Sequence, residues 1–212
     1  MERLKVFVSY SSKEKSFAGD LKSMLIDYCG YEVFLAHDDM IASLDFNDGI
    51  KKAIKDCDVF IALLSENFKK SDYCDQETGI AYYLKKKIIP VKLDSTNPYG
   101  FLASAHGLKT RNFNEDGIKQ VVSEVGIICL KHLVGKVHGK AKNSIIHALK
   151  NSAHFRHSNI IIPILCECPK YDTAEVGLIK AAVETNFEIQ GATALYIIKR
   201  MLKDKYKIEV AY

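Results

Sequence analysis

In the stretch SDYCDQETGIAYYLKKK, residues 71–87, one carboxylate stands where a helix buries apolar side chains. Tyr73, Ile80, Ala81 and Leu84 recur at the spacing of one helical face. Glu77 falls on that face, four after Tyr73 and three before Ile80. A carboxylate drawn inward loses solvation, which raises its pKa and strengthens its attraction for nearby positive charge. That suits a reaction in which positive charge develops on a substrate. As a structural residue it could instead pair with a lysine at the helix edge or reach water along its stem.

Other positions offer less. In SYSSKE, Ser11 followed by Glu14 has the pattern of a capping box. A helix starting there also presents amides and a positive dipole to an anion such as pyrophosphate. Neither GxGxxG nor GxxxxGK[ST] is present, which removes a Rossmann fingerprint and a P-loop. Asp38 and Asp39 are paired acids similar to those of a magnesium-binding receiver. The run that would close the third strand reads LLSEN, and Ser65 cannot accept a phosphoryl group as an aspartate would. The two acids are therefore expected to approach a helix within a loop. The six cysteines show no CxxC spacing, so no metal site is expected; Cys166 and Cys168 read as packing residues.

Composition bounds the rest. A chain of 212 residues with 48% hydrophobic content can bury a substantial core in one domain or two small ones. A net charge of +4, with scattered Lys and Arg, gives nucleic acid little support as a partner. No run is long enough for a signal peptide or a membrane span, so a reducing cytoplasm and free thiols are expected.

The elements that must position Glu77 follow from the hydrophobic pattern. Apolar, β-branched runs at 4–10, 31–37, 58–65 and 88–94, with a weaker one at 108–113, are expected strands. Helical patterns lie between them at 13–28, 44–56, 66–87 and 115–133. Nearly continuous apolar strands alternating with helices imply an α/β, flavodoxin-like parallel sheet in the order 2-1-3-4-5. Ligands of such sheets bind beyond the carboxyl ends of the strands. The loops at 10–13, 37–43 and 65–71 arrive at that end.

The runs VFVSYSSKE, GYEVFLAHDD, FNDGIKKAIKDCDVFIALLSENFKKSDYCDQETGIA and KKIIPVKLD together resemble a TIR domain of the bacterial type over residues 4–133. NPYGFLASAHGLK is similar to the segment such domains place before the last strand. The resemblance implies a TIR domain at 1–133 that cleaves NAD at the nicotinamide–ribose bond. It takes the catalytic role to a glutamate in a C-x-x-E context, here Cys74 to Glu77. NAD would be the substrate, with no separate cofactor. Tyr10, Ser11, Ser12, Ala42, Ser43, Phe46, Ser71 and Cys74 fall where family members meet substrate. Ala42 and Ser43 stand where many members carry glycine, and Phe46 where tryptophan is frequent.

Residues 134–212 are expected to form a small helical domain without a catalytic motif. VGKVHGKAKN reads as a basic linker, IIIPIL (160–165) as a strand or a buried helix, and Asp172 with Glu175 as a capping box. By resemblance the chain suits the signal-producing component of Thoeris antiphage defence, self-associating through TIR contacts and feeding a nucleotide product to an effector. Two alternatives belong to other classes: a non-catalytic TIR adaptor, and a nucleoside deoxyribosyltransferase-like enzyme. Nucleobase transfer between deoxynucleosides would mark the last.

Overall fold

The computed structural model describes residues 1–36 and 46–210. The chain divides into two compact units, one of Leu4–Met24 with Glu32–Val122, the other of Met1–Arg3, Leu25–Tyr31 and Ser123–Tyr212.

The first unit holds five parallel strands: β1 (Lys5–Ser9), β2 (Glu32–Leu35), β3 (Val59–Leu64), β4 (Lys87–Lys92) and β5 (Leu108–Lys109), in the order β2-β1-β3-β4-β5. The expected doubly wound α/β fold is therefore the observed one. The connecting helices are α1 (Lys15–Cys29), α2 (Phe46–Asp56), α3 (Glu66–Lys69), α4 (Asp72–Tyr83) and α5 (Glu115–His132). All six residues of β3, the central strand, are buried, as a strand covered on both faces requires. Phe7 of β1 stacks on Phe34 of β2 and Phe60 of β3, with ring centroids 5.4 and 5.3 Å apart. The register places these three residues side by side. Pro90 faces Ala62 of β3, and β5 pairs only with the next two residues of β4. A residue without an N–H is tolerated where the ladder is one-sided.

The helix expected over 66–87 is two helices. Lys70 leaves helical geometry and Ser71 recaps the chain in extended conformation. Two serines thus start two helices, because each hydroxyl supplies an acceptor to an otherwise unpaired amide.

The second unit contains α6 (Gly135–Lys150), α7 (Phe155–Cys166), α8 (Thr173–Thr185), α9 (Phe187–Gln190) and α10 (Leu195–Tyr206). The segment read as a linker is the first half of α6. Two glycines cost helix propensity of about 1 kcal/mol each, but Ala141, Ser144, Ile145, Ile146, Ala148 and Leu149 form a buried face that outweighs them. IIIPIL lies inside α7 and is helical. The capping box is present: Glu175 N donates to Asp172 Oδ1 and Asp172 N to Glu175 Oε2, both at 2.8 Å. Lys142 of α6 reaches the same carboxylate at 2.7 Å, both side chains being largely shielded.

All six cysteines are free thiols. Among the described residues no helix is long and apolar enough to cross a membrane, and no three His, Cys, Asp or Glu side chains gather as a metal site.

Candidate active site

Helix α4 carries the site. Ser71 Oγ accepts from Cys74 N at 3.4 Å, and Asp72 and Asp75 occupy the first turn, where the helix dipole favours negative charge. The helix buries Cys74, Glu77, Thr78 and Ala81. Tyr73 and Leu84, assigned inward from periodicity, are exposed at 55% and 37%. The true inward face is set one position further along the helix. Tyr73, the aromatic counted inward, had biased the phase; among the outward aromatics Tyr82 stacks on Phe101, with centroids 4.7 Å apart. Glu77 lies inward in either phase.

Glu77 is 3% exposed. Its Oε2 accepts a hydrogen bond from Ser9 Oγ at 2.5 Å. Its Oε1 is buried and has no hydrogen-bond partner among the described residues. Burial pushes the carboxyl pKa up to about 7, and the Ser9 hydrogen bond pulls it down without reversing the shift. Ser9 is itself wholly buried and ends β1, so the pair sits at the carboxyl edge of the sheet.

The Ser71 hydroxyl, and more weakly that of Ser9, favour the Cys74 thiolate. Burial nevertheless pushes the Cys74 thiol up to about 12, so at neutral pH it is a packed thiol and not a nucleophile. Ser71, Cys74 and Glu77 are thus brought together on one helix beneath Ser9. The sequence reading passed over Ser9. Its signal is a single polar residue closing a strand that is otherwise buried and apolar.

The loop after β1 differs from expectation. Ser11 Oγ accepts from Lys13 N at 3.4 Å, but Glu14 does not reach back to complete a capping box. Its Oε1 accepts instead from Ser65 Oγ at 2.9 Å and Asn67 Nδ2 at 2.8 Å. Two side-chain donors, Ser65 capping α3 and Asn67 within it, outcompete one backbone amide, and Glu14 thereby ties the start of α3 to the loop after β1. Ser65 Oγ also accepts from Phe68 N at 3.0 Å, capping α3.

Tyr10 is wholly buried, Ser11 nearly so, and Ser12 is exposed. Phe46 opens α2. Ala42 and Ser43, like Asp38 and Asp39, lie outside the described residues. A cleft of about 200 Å³ lies along the flank of α4 that carries Asp75 and Thr78, lined also by Phe68, Tyr99 and Phe101. Tyr99 Oη donates to Asp75 Oδ1 there at 2.8 Å. Glu77 does not line this cleft, so the cleft and the buried carboxylate are separate features.

A parallel sheet in the order 2-1-3-4-5 is an α/β, flavodoxin-like fold. A family model described as TIR domain matches residues 6–122, more than half of the chain, and the chain belongs to that family. Among solved structures, the TIR domain of the Toll-related receptor TRR-2 from Hydra magnipapillata is 20% identical, with a TM-score of 0.48, over 57% of this chain and 92% of that one. The CMP N-glycosidase BcmB of Clostridium botulinum is 24% identical, with a TM-score of 0.42, over 56% of this chain and 98% of that one. Likeness at this level carries no implication for activity. A comparison with curated proteins finds no match.

Proposed function

We propose that the protein cleaves NAD at the bond between nicotinamide and ribose, with Glu77 as the catalytic carboxylate. The observation that carries this reading is the state of Glu77: 3% exposed, one oxygen fixed by Ser9 at 2.5 Å, the other without a partner among the described residues. A buried carboxylate oxygen left unpaired costs stability. Such a cost is tolerated where the group serves a substrate.

One carboxylate suffices for this bond. Ordinary glycoside cleavage needs an acid to protonate a poor leaving group and a second carboxylate at the sugar. In NAD the C1′–N electron pair leaves with nicotinamide, which is cationic when bound and neutral once free. No acid is required. The remaining task is to steady the oxocarbenium-like ribose, and a preorganised negative charge in a water-poor site does so. Capture by water then gives ADP-ribose and a proton; capture by a hydroxyl or adenine nitrogen of the same molecule gives a cyclic isomer, again with loss of a proton.

The TIR resemblance assigns substrate contacts to Tyr10, Ser11, Ser12, Ala42, Ser43, Phe46, Ser71 and Cys74. It also supports a role in antiphage defence, in which an effector senses the product. Incubation with NAD, followed by chromatography and mass spectrometry, tests the activity. Release of nicotinamide with an ADP-ribose species is the expected result, and unchanged NAD counts against it.

A non-catalytic adaptor is the second reading, favoured by the exposed aromatic side chains of Tyr73, Tyr82, Tyr83 and Phe101 in the α4 region. Exposed apolar clusters of this kind mark contact surfaces. An adaptor would assemble with Glu77→Gln unchanged and would leave NAD intact.

A further inference from the structure

Thr78 follows Glu77 on α4 and is 6% exposed, and its Oγ1 is buried with no hydrogen-bond partner among the described residues. A hydroxyl inside a helix commonly donates to the carbonyl four residues back. Ser23, Ser144 and Thr185 do so, at 3.2, 2.8 and 2.8 Å; Thr78 does not. A buried hydroxyl without a partner costs stability and calls for an account. Thr78 lines the cleft of about 200 Å³ beside α4. Phe68, wholly buried, and Leu102 give that cleft apolar walls, and Phe101, stacked on Tyr82, gives it a held ring. Asp75 also lines it: the Tyr99 hydroxyl takes Oδ1 at 2.8 Å, and Oδ2 has no donor among the described residues.

A cavity of about 150 Å³ takes a benzene ring, so this cleft takes one ring with a small substituent and is too small for a dinucleotide. Aromatic walls favour an aromatic occupant. The two polar groups differ in sense: the Asp75 carboxylate only accepts, whereas the Thr78 hydroxyl has a proton to donate. A carboxamide meets both, its N–H donating to Asp75 Oδ2 and its carbonyl accepting from Thr78 Oγ1. Threonine takes two χ1 states in a helix, so the hydroxyl can turn to the cleft in place of the methyl. The Lys69 ammonium lies 5.8 Å over the Tyr99 ring, which disfavours a second cation and leaves an uncharged donor. We propose that this cleft binds an uncharged aromatic carboxamide of one ring, held by Thr78 and Asp75 against Phe68, Phe101 and Leu102. The inference does not rest on the NAD reading: Glu77 does not line the cleft, and a chain that leaves NAD intact would bind such a ring equally well.

The test uses the full chain and nicotinamide as the probe, with nicotinate as the comparison, and reads the probe's own proton NMR signals during titration. Nicotinamide is expected to bind saturably at millimolar concentration or below. Nicotinate has the same ring but no N–H, and meets Asp75 as a like charge, so it should bind roughly tenfold more weakly or not at all. Thr78→Val keeps the shape of the side chain and removes the hydroxyl. It is expected to weaken nicotinamide binding roughly two- to tenfold, the worth of one hydrogen bond, and to melt no lower than wild type, since the lost hydroxyl had no partner among the described residues. Phe101→Ser, at an exposed position, is expected to weaken binding as well. Probe signals unmoved at millimolar nicotinamide overturn the proposal, as does nicotinate binding as tight as nicotinamide. Undiminished affinity in either variant also overturns it, because nicotinamide would then be held elsewhere, beside Glu77 included.

Discussion

At the scale of single residues, the proposed chemistry rests on Glu77 and Ser9. The folded protein raises the Glu77 pKa from 4.5 to about 7, so between those values it holds a proton that the unfolded chain releases. Stability linked to this group is therefore fully present below about pH 4.5, falls as pH rises toward 7, and levels off above it. The shift bounds the loss at about 3 kcal/mol. Denaturant melts of wild type from pH 5 to 8 should show the decline, and Glu77→Gln, which cannot ionise, should flatten it. Equal slopes for the two proteins would place the titration elsewhere. The proposed catalysis has the opposite dependence, because in it the ionised form steadies the ribose: NAD cleavage should rise with pH through about 7. In the proposed reaction Ser9 is a positioning residue, since its hydrogen bond favours the charged carboxylate. Ser9→Ala should move the pH–rate profile to higher pH, since only burial then acts on Glu77. An unshifted profile with a lower melting temperature would make Ser9 merely structural.

At the scale of elements, the constraints are caps, phases and close approaches. Gly30 follows α1 at φ +69, and a Cβ there would stand 2.2 Å from the Ser144 carbonyl oxygen of α6. Both the backbone region and the space exclude a side chain. Gly30→Ala should cost more than about 1 kcal/mol, read as a lower denaturant midpoint; an unchanged midpoint would mean that α6 yields easily. The sheet was legible because its strands are continuous apolar runs, whose order and parallel sense follow from short right-handed crossovers. The inward carboxylate was legible because it lies on the buried side of α4 in either phase. The break at Ser71 was not, since serine reads equally as a cap or as a helix residue. The helical start of α6 was hidden because local glycines spoke for a linker, and only burial of Ile145 and Leu149 overrules them. Glu14 was misassigned for a related reason: its partners Ser65 and Asn67 lie more than fifty residues away, and local spacing cannot supply them.

At the scale of the whole molecule, membership of the TIR family and the exposed aromatics around α4 support self-association as part of the proposed activity. If a neighbouring copy completes the site, the rate should rise more steeply than protein concentration across the micromolar range. A rate strictly proportional to concentration would mean that one chain suffices. The α4 aromatics give the matching variant: Tyr83→Ser, at a position 84% exposed, should weaken assembly without unfolding the chain.

The central claim is that one buried carboxylate breaks the nicotinamide–ribose bond, and the most direct measurement is nicotinamide release from NAD by wild type and Glu77→Gln side by side. The glutamine keeps the size and polarity of the side chain and removes its charge. Loss of a preorganised electrostatic group costs on the order of 2.7–4 kcal/mol, so release should fall by roughly a hundred- to a thousandfold while the variant remains folded. A folded Glu77→Gln protein that releases nicotinamide as fast as wild type would contradict the assignment.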